Sequence, residues 1–429
     1  MEFIAAKEFV EGLNRFGSVL GLANIKMLLR KLNNPEKNLN IIHVAGTNGK
    51  GSTITYLEGI LLENGHTCGK YTSPVVFDYL EKYQINGKSI SEEEFAELVE
   101  AVMPSIKELN EEGIFPTIFE VETAMAFMLF KKKKISVALL ETGMGGDSDA
   151  TNVAEKVLLS IITSISLDHT TFLGNTIEEI AAHKAGIIKK GCPVIISGKC
   201  GKAVSVIKKV AENMGSRLIV SEIVNTKEGS YIASDGTEFS ELSSKLKGKY
   251  QEENMAVAIE AALMLNKAYP DKFDVTVEQI KKGIKEAFIP GRFEKISDTP
   301  EIYIDGAHNP DAILKLKTTI KEKFPEKKIV FIMGVLADKD YESECREIAE
   351  VASEIITVTP DNGRALEGSV LMKTLVKYNK NVSFEPDLNN AYDKAIKKNP
   401  DVIIAFGSLS YLGSFKKIVT DRAREAGNK

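Results

Sequence analysis

Residues Asn40 to Ser52, NIIHVAGTNGKGS, carry an apolar run into a glycine-studded loop with one lysine and one hydroxyl at its end. Those residue types suit a triphosphate. Glycines let successive backbone N–H groups turn toward one anion, a following helix adds the positive end of its dipole, and Lys50 reaches terminal phosphates. Ser52 or Thr53 supplies an oxygen for magnesium. The spacing departs from the usual GxxxxGKS/T, because two residues separate Gly46 from Gly49 and Gly51 stands between Lys50 and Ser52. A Gly/Lys/Ser loop alone also fits an ordinary strand-to-helix turn, so other residues must decide.

Four further segments carry chemistry. Ile135 to Leu140 is an apolar run that delivers Glu141 beside Gly143, Gly145 and Gly146, and an acid at a strand end next to a phosphate loop is placed to order magnesium. Ser160 to Ser166 delivers Asp168 and His169 to the same expected edge, which makes His169 a candidate metal ligand; a hydrogen-bonded structural histidine is the alternative. Lys184 interrupts an apolar helical stretch, Ile180 to Ile188. It either snorkels to solvent or, if desolvated, holds a neutral amine able to react, including with carbon dioxide to give a carbamate. Ile302 to Ile304 leads into Asp305, placed to accept from ribose hydroxyls or to cap a helix beginning at Pro310. Arg292 is suited to fork onto phosphates and Asn254 to read an adenine edge, although each type is most often a surface residue.

The elements that must position these groups follow from periodicity. Ile54, Leu57, Leu61 and Leu62 recur at helical spacing, with Asn64-Gly65 as the stop, so the lysine loop joins a strand to a helix. Runs at Val137 to Leu140, Val157 to Thr163, Val194 to Ser197 and Arg217 to Val224 predict a mostly parallel sheet, and runs at 302–304, 329–334, 355–359 and 402–406 predict a second α/β sheet. Phe288 to Glu294, with its Pro-Gly pair, is the expected linker. The fold class is therefore α/β, with a P-loop domain over 1–292 and a smaller Rossmann-like domain over 293–429. The Lys131 to Lys134 run is expected to be a solvated helix end.

At 429 residues the chain exceeds one hydrophobic core, and 43% hydrophobic with 27% charged residues is ordinary for a globular protein. A net charge of -5 argues against nucleic-acid binding. Four scattered cysteines, Cys68, Cys192, Cys200 and Cys345, fit buried reduced thiols rather than a disulfide framework or zinc site. With no apolar targeting segment and no run of 18 apolar residues, a soluble cytoplasmic protein without a membrane partner is expected.

Taken together, the chain resembles the folylpolyglutamate synthase and dihydrofolate synthase family of the Mur ligases. The resemblance rests on HVAGTNGKGS (43–52), YTSP (71–74), ETGMGG and DATN (141–152), LDHTTFLGNTIEEIA (167–181), HKAGIIKKG (183–191), GRFE (291–294), DGAHNP (305–310) and LADKD (336–340). It implies an ATP-dependent amide ligase that adds L-glutamate to a folate carboxylate through an acyl phosphate, with ATP in a cleft between two domains. By position it implies that Gly46, Thr47, Asn48, Gly49, Lys50 and Gly51 hold phosphates and that Ser52 and Glu141 bind one magnesium ion. Ser73, Glu141 and His169 are implied as ligands of a second ion, with Lys184 as a carbamylated lysine; Asn254, Arg292 and Asp305 are implied nucleotide contacts, with His308 close by. Lys50, Lys184 and His169 are the implied catalytic set, and a monomer is implied.

Departures bear on the substrate. Bifunctional relatives often read YTSPHL and GGRLDATN, with Glu before the lysine; here Val75 and Val76 follow Pro74, Asp147-Ser148 replaces Arg-Leu, and His183 replaces Glu. The expectation is a folylpolyglutamate synthase, with dihydropteroate glutamylation as the alternative. A P-loop kinase would not explain the Asp305 turn, and a guanine-reading switch lacks NKxD, since Asn266-Lys267 continues to Ala268-Tyr269.

Overall fold

Apolar runs flanked by helical patterns become buried strands because a parallel sheet needs helices on both faces. The computed structural model describes residues 1–13, 21–75, 77–222 and 229–427. The chain packs as two units, one of Met1–Pro74, Tyr79–Lys245 and Gln251–Ala287, the other of Val75–Asp78, Leu246–Tyr250 and Phe288–Lys429.

The first unit holds β1 (Ile41–Ala45), β2 (Cys68–Tyr71), β3 (Tyr83–Ile85), β4 (Lys88–Ser89), β5 (Val137–Glu141), β6 (Val157–Ile162), β7 (Val194–Ser197) and β8 (Leu218–Ser221) in one sheet. Their order is β4-β3-β2-β5-β1-β6-β7-β8. From β2 to β8 every pairing is parallel, while β3 and β4 add an antiparallel edge. All residues of β1, β5 and β6 are buried. Phe127, Phe130, Leu140 and Ile41 belong to one apolar cluster, and Ala45, Ile162, Ile180 and Ile196 to another. A short hairpin, β9 (Tyr231–Ile232) with β10 (Glu238–Phe239), stands apart from the sheet.

The second unit contains β11 (Glu294–Asp298), β12 (Glu301–Asp305), β13 (Ile329–Met333), β14 (Glu354–Thr357), β15 (Val382–Phe384) and β16 (Val402–Phe406). Their order is β11-β12-β16-β13-β14-β15, parallel except for the β11 edge. The expected helix at Pro310 begins there, with Pro310 in its first turn. No described helix is long and apolar enough to cross a membrane.

Most expected runs match strands within a residue or two, but the 217–224 run yields only Leu218–Ser221, and residues 223–224 lie outside the described set. The strand β2 escapes hydropathy because Lys70 lies in it. That lysine is buried and pairs with buried Glu58 at 2.6 Å. Lys131 to Lys133 form the exposed last turn of helix Ile118–Lys133, with Lys132 and Lys133 paired to Glu97 and Glu94. All four cysteines are buried.

Candidate active site

Ligands in parallel sheets bind beyond the carboxyl ends of the strands. At that edge β2, β5, β1 and β6 are neighbours, and they lead to Ser73, Glu141, the Gly46 loop and Asp168-His169 respectively. The loop after β1 passes into helix Lys50–Glu63 at Gly49, whose φ is 89°. A β-carbon there would lie 2.2 Å from Asn254 Oδ1, so glycine is required by both backbone angle and space. Asn254 on helix Lys249–Ala268 therefore lies against the phosphate loop, and its Nδ2 donates to Gln251 Oε1 at 3.0 Å.

Two hydroxyls and one backbone segment past β6 clamp the loop. Thr163 Oγ1 donates to Asn48 O at 2.7 Å, Ser164 Oγ donates to the same carbonyl at 3.0 Å, and Thr47 Oγ1 exchanges hydrogen bonds with the Ser166 backbone at 3.1 Å. Thr47 N–H donates to Ser164 O at 2.7 Å. Sequence reading missed these residues. Their signal was the Thr-Ser-Ile-Ser run at the end of the strand beside β1.

Lys50 Nζ donates to Gly46 O at 3.1 Å and Thr47 O at 3.3 Å, and stands 3.7 Å from the buried Glu141 carboxylate. A β-carbon on Gly51 would lie 3.7 Å from Glu141 Oε2, which puts this acid at the first turn of the phosphate-binding helix. Lys184 does not snorkel: it is 4% exposed, and its Nζ donates to Gly46 O at 2.8 Å. Burial, helped by the Lys50 charge, brings its amine down to about 7, against the opposing pull of Asp168 and Asp149.

Asp149, also missed, is buried and organises the turn after Glu141 by accepting from Met144 N at 2.8 Å and Thr151 N at 3.0 Å, and from the Thr151 hydroxyl. Thr151 Oγ1 in turn meets His43 Nε2 of β1 at 2.8 Å. Burial raises the Asp149 carboxyl, offset by these donors.

Ser73 is half-buried at the cis Ser73–Pro74 bond, and His169 adopts φ 51° at the head of helix Thr170–Leu173, 3.9 Å from Asp168. Magnesium takes one or two protein oxygens and completes its shell with phosphate and water. Buried Ser52 in the first turn of the loop helix and Glu141 beside it offer that donor set. Among the described residues no group of three or more His, Cys, Asp or Glu side chains forms a protein-only cage. The strand order brings the segments carrying Ser73 and His169 to one sheet edge, and Lys184 reaches that edge from a helix, its amine engaged by Gly46 O.

In the second unit, Asp305 ends β12 and is buried. It accepts from Phe293 N at 2.8 Å and Ala307 N at 2.9 Å, with Tyr250 OH at 3.5 Å. Burial raises its carboxyl, and the neighbouring Arg292 charge opposes the rise. Helix capping falls to Asn309, whose side chain accepts from Ala312 N at 2.9 Å. His308 Nδ1 meets Gly306 O at 2.7 Å, so Nδ1 is the protonated nitrogen.

Residues 44–262 match the Mur ligase middle domain and residues 291–409 the Mur ligase glutamate ligase domain. The dihydrofolate synthase/folylpolyglutamate synthase of Bacillus subtilis is 34% identical over 96% of this chain and 98% of its own. The folylpolyglutamate synthase of Lacticaseibacillus casei is 35% identical over 85% of this chain and 87% of its own. The Mycobacterium tuberculosis folylpolyglutamate synthase solved with ADP and AMPPCP superposes with a TM-score of 0.88 at 26% identity, covering 97% of this chain and 99% of that one.

Proposed function

The chain belongs to the folylpolyglutamate synthase and dihydrofolate synthase family of the Mur ligases, and on that premise we propose that it joins L-glutamate to the terminal carboxylate of a folate at the expense of ATP. A carboxylate is a poor electrophile, so ATP phosphorylates it and leaves ADP. The glutamate amine then attacks the acyl phosphate, and the tetrahedral adduct expels phosphate to leave the amide. The observation that carries this reading is Lys50, held by Gly46 O and Thr47 O at the start of the loop helix with Glu141 3.7 Å away.

In this reading the loop amides of Gly46 to Gly51 and the Lys50 ammonium hold the phosphates and offset the charge of phosphoryl transfer. Ser52 and Glu141 are the oxygens for one magnesium ion; Ser73, Glu141 and His169 are assigned to a second. Bound magnesium neutralises phosphate charge. With its pKa brought down to about 7, the Lys184 amine in its neutral form is competent to add carbon dioxide and release a proton, which would leave a negative carbamate beside that edge. Buried Asp305, with half-buried Arg292 and His308 near it, supports assigning those three residues to the nucleotide, and the place of Asn254 against the phosphate loop supports assigning it likewise. Residues 1–292 are assigned as the ATP-binding P-loop domain and 293–429 as the Rossmann-like glutamate ligase domain. We read the protein as a cytoplasmic monomer, with four scattered, buried cysteines in keeping with a reducing compartment.

A second reading adds dihydropteroate as a substrate. It is favoured by the contact of Asp147 with His183 at 2.9 Å, which makes partners of two positions that depart from the bifunctional pattern. Purified protein incubated with ATP, magnesium, L-glutamate and either tetrahydrofolate or dihydropteroate separates the two by mass spectrometry. A glutamyl product from tetrahydrofolate alone supports the first; equal efficiency on both supports the second; no product from either contradicts the ligase.

A further inference from the structure

We infer that Asp147 and His183 act as a positioning pair that locks the turn after Glu141 to the end of the helix carrying Lys184, and so keeps that amine on Gly46. The inference rests on the ligase reading for its kinetic consequence, not for its geometry.

The turn and helix Ile177–Ala185 meet backbone to backbone. Asp147 N–H donates to His183 O at 2.9 Å. Asn152 Nδ2 donates to both Asp147 O and Gly186 O, at 3.0 and 3.1 Å. A β-carbon on Gly146 would lie 2.7 Å from His183 O and 2.8 Å from Lys184 O, and one on Gly186 would lie 2.4 Å from Asp147 Cβ. Across this joint the side chains add one directional link, His183 Nδ1–H to Asp147 Oδ2 at 2.9 Å. Lys184, the next residue, reaches Gly46 O at 2.8 Å from the same helix end.

Both partners are partly exposed, 36% for the His183 side chain and 45% for that of Asp147, so the link adds little to global stability. Its effect is on orientation: a small displacement of groups around a reacting centre costs rate far more than fold. The pair differs from buried Asp149, which satisfies backbone donors and cannot be removed without a stability cost.

Charge inversion tests the pair. D147R sets a guanidinium against His183, H183E sets two carboxylates together, and D147R/H183E restores attraction. Each single variant is expected to lower kcat for glutamate-dependent ADP release about tenfold or more, with little change in the ATP KM, and the double variant to recover to within about threefold of wild type. A second readout needs no turnover. Competitive acetylation followed by peptide mass spectrometry measures exposure of Lys184, and its labelling is expected to rise in both single variants and fall back in the double.

Additive losses in the double variant, or unchanged Lys184 labelling in the singles, overturn the pair. If the reversals do not fold by circular dichroism, D147N and H183A carry the comparison: D147N retains an acceptor and keeps Lys184 protected, and H183A exposes it, while equal labelling of the two overturns the inference. Wild-type protein without glutamate-dependent ADP release but with coupled labelling defeats the ligase reading and leaves the pair standing; active wild type with uncoupled variants does the reverse.

Discussion

The Lys184 amine donates to the Gly46 carbonyl at 2.8 Å, and the Lys50 amine reaches the same oxygen at 3.1 Å. Of the two lysines that meet on this carbonyl, Lys184 is the deeply buried one, and burial together with the Lys50 charge brings its amine down to about 7.

That depression makes stability depend on pH. The unfolded chain keeps the lysine proton up to about 10.5 while the folded chain releases it near 7, so between those values the unfolded state binds the extra proton. Stability should rise with pH across that window by about 1.4 kcal/mol per unit, and the burial penalty is complete below about 7. Urea unfolding of wild type and K184M at pH 7, 8 and 9 checks this: their difference in stability should shift in favour of wild type as pH rises. A constant difference would show that Lys184 carries an ordinary amine.

Lys50 is partly accessible at the loop, with several polar partners rather than apolar packing. K50M should therefore fold normally and lower kcat by about 100- to 1000-fold, the size of a lost donor at a charged transition state. Steady-state rates with circular dichroism as a control test this. A loss below about tenfold would remove Lys50 from phosphoryl transfer.

Thr163 is buried and donates to Asn48 O at 2.7 Å. T163V keeps the shape and removes that donor, while the Ser164 hydroxyl still reaches the same carbonyl at 3.0 Å. We expect a stability loss of about 1–3 kcal/mol and a raised ATP KM, because the loop loses a clamp. Thermal melting and ATP titration measure both; an unchanged ATP KM would mean that Thr163 supports the core and not the loop.

Many of the candidate residues were legible in the sequence because they sit where apolar strands of the two sheets stop. Gly46 to Ser52, Glu141, Asp168-His169 and Asp305 all follow recognisable apolar runs; Glu141 and Asp305 end β5 and β12, and the other two segments follow β1 and β6. What hydropathy could not show were contacts made across strand order. Thr163, Ser164 and Ser166 matter because β6 lies beside β1, and Asp147 meets His183 through a turn and a helix separated by 36 residues. Lys184 was ambiguous for the same reason: snorkelling and burial differ only in what packs around the helix. The strand β2 was hidden because its lysine is neutralised by Glu58, a partner 12 residues away.

Omission of substrates one at a time tests the central claim most directly. Purified protein with ATP and magnesium is assayed for ADP release with tetrahydrofolate and L-glutamate together, with each alone, and with neither. The expected result is sustained release only with both, together with a glutamyl product in equal amount. Sustained release without glutamate would contradict the ligase and indicate a kinase or an ATPase.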